Sequence, residues 1–340
     1  MTTIKDIARL SGYSIGTVSR VINNHPDVSE AARIRVKQII REQNYQPNSN
    51  ARQLKQQFSS AITIIVKGYE NMFFEGILER VQAILRDSGE EAAVIFLDEY
   101  ANEVKTAIQL CSERKPKGFL FLGGNLEYFR KEGNGMDVPC VLLTNTAKEL
   151  SLSNLSSYTT NDEEAGYRII EYLIRKGHSE IGIIGGSVSQ SGSQVGFRRM
   201  KGCLSAFQEY GIPFREDRQY EPSRFSMAGG YESTRKLLKK NPSITAVFAI
   251  GDTIALGAMR AILDMGLSIP GDVSVAGYDG IEYCRYSCPR LTTIYQDRET
   301  LARKGVEDLL LRINYSYPST HEEIPYILVE GESVAGPKQN

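Results

Sequence analysis

The chain has 340 residues, of which 41% are hydrophobic and 24% charged, a composition typical of a globular protein with two or three packed units. It contains no run of about 18 apolar residues and no signal-peptide core at its start, so we expect neither a membrane span nor export. The five cysteines include no C-x-x-C pair and the three histidines are scattered. We therefore expect a reducing, cytoplasmic setting without a bound metal or cofactor.

The charge is distributed unevenly along the chain. Residues 1–57 contain nine Lys or Arg and four acidic side chains, whereas the remainder contains 31 basic and 37 acidic side chains. A basic end on a mildly acidic body predicts a nucleic-acid contact confined to that end. A solvated basic helical bundle would show the same charge, so the prediction needs the pattern of the helices as well.

Two short helices are predicted at the start of the chain. A capping-box-like start at Thr3 opens a helix that ends near Ser11, where Gly12 permits a sharp turn. Ser14 is suited to cap a second helix, which the apolar spacing carries through Asn23. Two such helices joined by a tight glycine turn form a helix-turn-helix.

A third helix completes this unit. Ser29 is placed to cap it, its apolar stripe continues to Tyr45, and Pro47 stops it. Residues 1–46 therefore form a predicted three-helix domain. Its core is too small to suit a catalytic domain, but it suits a DNA-reading head.

The outward face of the second helix carries the side chains predicted to contact DNA. They are Ile15, Gly16, Thr17, Ser19 and Arg20. Arg20 has the donors for guanine O6 and N7, Ile15 can meet a thymine methyl group, and Thr17 and Ser19 can hold phosphates. Gly16 offers no side chain and would permit close approach only. The alternative is that these positions simply face solvent.

Residues 47–59 form a predicted hinge helix and linker. A segment of this length is too short to be a stable helix alone in water. Two copies packed through Ala51 and Leu54 over DNA would stabilise each other, and paired leucines could wedge between base pairs and kink the duplex. A polar unstructured linker is the alternative for this segment and is the one that the residues alone favour; the hinge helix is what the family resemblance given below implies.

From residue 60 onward, short apolar strands alternate with amphipathic helices, which predicts parallel sheets covered by helices in two doubly wound lobes. The predicted strands are Ile62–Val66, Ala92–Phe96, Gly118–Leu122, Val138–Leu143, Ile181–Ile184, Ala246–Ile250 and Val273–Tyr278. The predicted helices are Phe74–Asp87, Asn102–Glu113, Glu163–Lys176, Phe197–Tyr210, Ala228–Lys239 and Thr253–Asp264.

Aromatic and planar polar side chains near the strand ends form a predicted ligand pocket between the lobes. They are Phe73, Phe74, Arg199, Phe225, Asp252, Asp279 and Gln296. For three of them a structural role is the alternative, since Phe225 could be core, Asp252 a helix cap and Asp279 a turn residue. The chain has no G-x-G-x-x-G, G-K-[ST] or G-x-S-x-G motif in a suitable context, so we do not expect an enzyme.

The chain resembles the LacI/GalR family of bacterial transcription regulators. The resemblance begins with T-I-K-D-I-A-R-L-S-G-Y-S-I-G-T-V-S-R-V-I-N-N and continues through A-I-G-D-T-I-A-L-G-A-M, I-P-G-D-V-S-V-A-G-Y-D and P-R-L-T-T-I-Y-Q-D. It implies base reading by Ile15, Gly16 and Arg20 and a minor-groove hinge. The hinge residues it implies are Ala51, Leu54 and Lys55. It also places six of the seven pocket residues, all except Phe74, at effector-contacting positions.

The resemblance implies a periplasmic-binding-protein-like body. We expect residues 60–340 to divide into an N-lobe, about 60–159 and 293–320, and a C-lobe, about 160–291 and 321–336. It further implies a cytoplasmic, nucleoid-associated homodimer that represses transcription from a near-palindromic operator. A sugar or sugar derivative is the expected effector, with a nucleobase or a protein partner as alternatives. A solute-binding protein or a sugar-modifying enzyme fits the sequence less well.

Overall fold

The computed structural model describes residues 4–22, 28–43, 61–186 and 194–338. The chain divides into two compact units, residues 1–57 and 58–340. Within the described ranges, no helix has both the length and the apolar character that a membrane crossing requires.

The described part of the smaller unit is helical. Its helices are α1 (Ile4–Ser11), α2 (Ile15–Ile22) and α3 (Glu30–Glu42). The Ser14 hydroxyl caps α2 by accepting a hydrogen bond from the backbone N–H of Thr17 at 3.1 Å. Ser29 caps α3 in the same way, through the N–H of Ala32. The apolar sides of the helices meet in one small core made of Ile7, Ala8, Val18, Val21, Val36 and Ile39.

This unit confirms the predicted helix-turn-helix. Gly12 has a φ of 76° between α1 and α2, a left-handed conformation that glycine adopts without a steric cost. The predicted helix ends at Asn23 and Tyr45 lie outside the described residues.

The first lobe of the larger unit contains a six-stranded sheet in the order β11-β5-β4-β3-β1-β2. Its strands are β1 (Ile62–Lys67), β2 (Ala92–Leu97), β3 (Phe119–Leu122), β4 (Cys140–Leu143), β5 (Leu155–Thr159) and β11 (His321–Glu323). All of its paired strands are parallel, with Ile64 of β1 opposite Val94 and Leu120. β1 is buried along its whole length, as expected for a central strand covered by helices on both faces.

The second lobe contains a six-stranded sheet in the order β12-β10-β9-β8-β6-β7. Its strands are β6 (Ile181–Ile184), β7 (Tyr220–Glu221), β8 (Ala246–Ala249), β9 (Ser274–Asp279), β10 (Thr292–Gln296) and β12 (Tyr326–Val329). Only β12 in this described sheet runs antiparallel to its neighbour. The two doubly wound lobes predicted from the sequence are confirmed, with one antiparallel edge strand added.

Helices cover both sheets. Those with the first sheet are α4 (Met72–Asp87), α5 (Glu103–Arg114), α6 (Leu126–Glu132) and α12 (Arg298–Tyr315). Those with the second are α7 (Asp162–Arg175), α8 (Val195–Glu209), α9 (Glu216–Gln219), α10 (Met227–Lys240) and α11 (Asp252–Asp264). Sequence patterns did not predict α12, because its buried face includes the polar residues Asp308 and Arg312. Arg312 donates hydrogen bonds to Cys140 O at 2.9 Å and to Ser156 Oγ at 3.2 Å.

The chain crosses between the lobes after β5, after β10 and after β11, and two of these crossings correct the predicted lobe boundaries. Residues 293–320 were expected in the first lobe, but β10 pairs with β9 of the second sheet over Thr292–Tyr295. Residues 321–336 were expected in the second lobe, but His321–Glu323 pairs with β5 of the first. Both strands are short. The lobe to which each belongs depends on the strand that it pairs with, and the apolar pattern of the sequence does not reveal that partner.

Candidate functional site

A cleft of about 400 Å³ lies between the two lobes of the larger unit. Its lining comes mainly from the segments that follow parallel strands, including Gly68 after β1, Gly123 after β3, Thr144 after β4 and Gly186 after β6. In open α/β sheets, ligands bind at these carboxyl ends of the strands. The cleft therefore lies where the topology predicts a small-molecule site.

Arg199 forms the floor of the cleft and is held by a dense set of contacts. Its Nε donates to Asp162 Oδ1 at 2.8 Å, and its Nη1 donates to the carbonyl of Ile250. The guanidinium carbon lies 3.5 Å from the centre of the Tyr278 ring. The Tyr278 hydroxyl donates to the same Asp162 oxygen at 3.0 Å. These contacts fix the position of the Arg199 charge.

Two glycines explain why Asp162 and Arg199 can meet. A Cβ at Gly202 on α8 would lie 1.9 Å from Glu163 O, and a Cβ at Gly166 on α7 would lie 2.3 Å from Arg199 O. Only glycine allows the two helix backbones to approach this closely. The close helix packing that Gly202 permits, three residues after Arg199, therefore places the arginine at the cleft.

Burial disfavours the charged form of every ionisable group on this floor. For Arg199, desolvation is outweighed by the attraction of the Asp162 and Asp279 carboxylates and by the hydrogen bond to Asp162, so its pKa is raised. For Asp162, burial dominates and raises the pKa despite the adjacent Arg199. The guanidinium remains a cation whose charge is already compensated by protein groups.

Asp279 ends β9 and lines the cleft beside Arg199. Its Oδ1 lies 3.5 Å from Arg199 Nη1 and accepts a hydrogen bond from Gln296 Nε2 at 2.8 Å. Burial raises the pKa of Asp279, and Arg199 offsets this only in part. Its φ of 116° is in a region that non-glycine residues rarely adopt, a form of strain that clusters at functional sites.

Aromatic rings form the walls. Asn71 caps α4 by accepting from the N–H of Phe73 at 3.1 Å, which places Phe73 and Phe74 in the first helical turn, with ring centres 6.1 Å apart. A Cβ at Gly123 would lie 2.8 Å from the Phe74 ring, so that glycine leaves room for the ring. Phe225 contributes a further ring from the second lobe.

The structure brings five of the seven predicted pocket residues to the cleft, whereas Asp252 and Gln296 lie behind its wall. Asp252 is wholly buried. Its Oδ1 accepts from Thr293 Oγ1 at 2.6 Å and its Oδ2 from the N–H of Ile281 at 2.9 Å. Gly277 makes room for this carboxyl, because a Cβ there would lie 2.2 Å from Asp252 Oδ1.

Burial raises the pKa of Asp252 to about 6, and the hydrogen bonds from Thr293 and Ile281 limit that rise. The geometry corrects the expected ligand contact, since Asp252 ties α11 to β10 and to the segment after β9. Gln296 acts one step behind the lining, through its bond to Asp279.

Sequence reasoning missed several polar and aromatic lining residues. They are Lys67, Asn71, Glu99, Tyr100, Asn125, Gln194 and Arg224. Each ends a strand, follows one or precedes a helix, so the rule that ligands meet strand ends would have flagged these segments. No such rule indicates which of the many polar residues in these loops face the cleft.

The smaller unit presents the predicted DNA-reading face. Ile15 is 46% exposed, and Gly16 and Arg20 are exposed as well. Thr17 is half-buried, with its hydroxyl 2.9 Å from that of Ser14. The side chain of Ser19 and the predicted hinge residues lie outside what the structure describes. Those hinge residues are Ala51, Leu54 and Lys55. No cluster of potential metal ligands occurs among the described residues.

Both parts of the chain match known families. Residues 3–48 match the model for bacterial regulatory proteins of the lacI family, and residues 170–334 match the periplasmic binding protein-like domain. The HTH-type transcriptional regulator MalR of Clostridium butyricum is 36% identical, over 97% of this chain and 98% of that protein.

Solved structures of transcription regulators are also similar to this chain. The structure of the transcriptional regulator CelR–cellobiose complex has a TM-score of 0.69 at 25% identity and covers 98% of this chain and 100% of that one. The lac repressor dimer bound to operator and an anti-inducer also has a TM-score of 0.69, at 26% identity, covering 98% and 99% of the two chains.

Proposed function

The chain belongs to the LacI family of bacterial DNA-binding transcription regulators, and we propose that an uncharged sugar bound between its lobes controls its affinity for an operator. Repression is the expected direction of control, as the resemblance implies. The cytoplasm, where the DNA lies, is the proposed location.

The observation that carries this proposal is the charge balance of the cleft. Every cationic side chain on the described lining already has a carboxylate partner. Lys67 Nζ lies 2.7 Å from Glu103, Arg199 Nε lies 2.8 Å from Asp162 and Arg224 Nη1 lies 3.3 Å from Asp98. Two of these pairs are buried, so an anionic ligand would have to displace Glu103 or Asp162 at a cost in desolvation. An uncharged ligand would not.

The remaining lining suits a sugar. Rings such as those of Phe74 and Phe225 stack on the C–H faces of sugar rings. Amide and carboxyl groups, here Asn71, Asn125 and Asp279, accept from and donate to adjacent hydroxyls. A volume of about 400 Å³ is near the lower end of small-molecule sites. One or two sugar rings fit this description best.

For the DNA end we propose that α2 enters the major groove, with Ile15, Gly16 and Arg20 at base edges and Thr17 and Ser19 at phosphates. A similar protein binds its operator as a dimer, and we propose a homodimer here too. A twofold protein requires a near-palindromic site. The hinge residues are proposed to complete this interface in the minor groove. They are Ala51, Leu54 and Lys55.

The proposed switch is a shift between two arrangements of the lobes. Since the cleft floor and walls come from both lobes, a bound sugar stabilises the arrangement that brings them together. A ligand shifts such an equilibrium only by the difference in its affinity for the two arrangements.

The test is a thermal-shift screen of the full chain against uncharged sugars, sugar phosphates and purines, followed by operator binding with and without each hit. A stabilising uncharged sugar that changes operator affinity supports the proposal. Stabilisation by a purine alone would instead favour a nucleobase effector, for which the aromatic walls are also suited. Specific DNA binding without any stabilising metabolite would favour a protein partner.

A further inference from the structure

We propose that an ion-pair gate between the lobes, formed by Arg224 with Asp98, Glu99 and Tyr100, limits the length of the sugar that the cleft accepts. This inference rests on the proposed sugar effector and assigns its size. The gate residues come from two segments, one after β2 in the first lobe and one after β7 in the second.

The gate spans the cleft through four contacts. Arg224 Nη1 lies 3.3 Å from Asp98 Oδ2, and Arg224 Nε lies 3.6 Å from Glu99 Oε1. The guanidinium carbon of Arg224 lies 4.9 Å from the centre of the Tyr100 ring. The backbone N–H of Phe225 donates to Glu99 Oε2 at 3.3 Å. Each contact joins one lobe to the other.

The exposure of these residues places the gate at the mouth of the cleft. Arg224 and Tyr100 line the cleft, yet their side chains are 57% and 56% exposed. On the floor, the side chains of Arg199 and Asp279 are each 4% exposed. A residue that both lines a cavity and faces solvent lies at its rim. A ligand long enough to leave the cleft on this side must pass the gate.

The strength of the gate suits a reversible closure. Exposed ion pairs are individually weak and are screened by salt, so thermal motion opens the gate often enough for a ligand to enter. Once a sugar of one or two rings is inside, the contacts re-form over it. A third ring would occupy the space of Arg224 and Tyr100, and the pairs with Asp98 and Glu99 would stay broken.

The experiment compares Arg224→Gln with the wild-type full chain and with Arg260→Gln. Arg260 pairs with Asp264 on the same helix, at a side-chain exposure of 69%, so this control removes an exposed ion pair that does not join the lobes. Calorimetric titrations use glucose, maltose, cellobiose, maltotriose and cellotriose. Thermal melting checks that each variant is folded.

We expect the ratio of trisaccharide to disaccharide affinity to rise roughly twofold to fivefold in Arg224→Gln, the range that corresponds to the loss of an exposed ion pair. Asp98→Asn should change it in the same direction, and Arg260→Gln should not change it. An unchanged ratio in Arg224→Gln would overturn the length limit.

Hydrogen exchange of the unliganded protein tests the closure separately. Peptides covering residues 98–101 and 222–226 should exchange faster in Arg224→Gln than in the wild type, because the variant loses the cross-lobe pairs with Asp98 and Glu99 and no longer holds Glu99 where it accepts from the Phe225 amide. Equal exchange would show that the contacts do not hold the lobes together. If no sugar binds any variant, the sugar effector and the length limit both fail, and the exchange data alone decide whether the closure exists.

Discussion

Replacing Arg199 with methionine tests how the cleft floor is held together. The change keeps an apolar chain of similar length but removes the cation from between Asp162, Asp279 and the Tyr278 ring. Removing one partner of a buried ion pair leaves an uncompensated buried charge and costs roughly 3–5 kcal/mol. We therefore expect the free energy of unfolding at pH 7 to fall by about 4 kcal/mol.

The loss should depend on pH with a defined sign. Without the guanidinium, burial raises the pKa values of Asp162 and Asp279 further, so the folded variant binds more protons than the unfolded chain. Stability then falls as pH rises above the unfolded carboxyl pKa of about 4. The difference between variant and wild type should be smaller at pH 5 than at pH 8.

Urea unfolding followed by near-ultraviolet circular dichroism is a suitable assay, because all but two of the 18 tyrosines lie in residues 58–340. Adding Asp162→Asn to Arg199→Met should recover part of the loss, since it removes one of the stranded carboxylates. A loss below about 1 kcal/mol, the range of an exposed pair, or a loss independent of pH, would refute the reasoning.

Three further predictions concern the cleft wall, the corrected residue and the DNA-reading face. Gly123→Ala should weaken sugar binding in calorimetry, because the new Cβ displaces the Phe74 ring, and should also lower the melting temperature, because alanine is strained at the φ of 76° found here. Asp252→Ala should lower the free energy of unfolding by roughly 1–3 kcal/mol, since Thr293 and the Ile281 amide lose their acceptor; urea unfolding that matches the wild type would remove this structural role. Arg20→Ala should weaken specific operator binding in gel-shift titrations by roughly 1–3 kcal/mol and relax the preference at one base pair, whereas equal weakening on all DNA sequences would indicate a phosphate contact.

The local sequence was sufficient to predict the buried strands and the capped helices. The strands Ile62–Lys67 and Ile181–Ile184 follow from short continuous apolar runs, and the helices that begin after Ser14 and Ser29 follow from apolar period and capping chemistry. The helix Arg298–Tyr315 did not, because it buries Arg312 against the carbonyl of Cys140. A partner so distant in sequence leaves no periodic signal.

The position of the cleft could be predicted from the sequence, but many of the side-chain contacts within it could not. Topology brings strand ends together, so Phe74 and Asp279 could be expected there. Asp252 also follows a strand, yet its carboxyl turns into the space left by Gly277 and not toward the cleft. The position of Arg224 at the rim depends on where the opposite lobe places Asp98. The sequence around Arg224 does not indicate where Asp98 lies.

Asp279 connects the cleft to the crossing between the lobes. Its carboxyl lines the cleft and accepts from Gln296, the last residue of β10. Asp297 follows directly and caps the helix Arg298–Tyr315, which packs on the first sheet. A ligand hydroxyl that bonds to Asp279 therefore acts on the same group that positions the crossing strand.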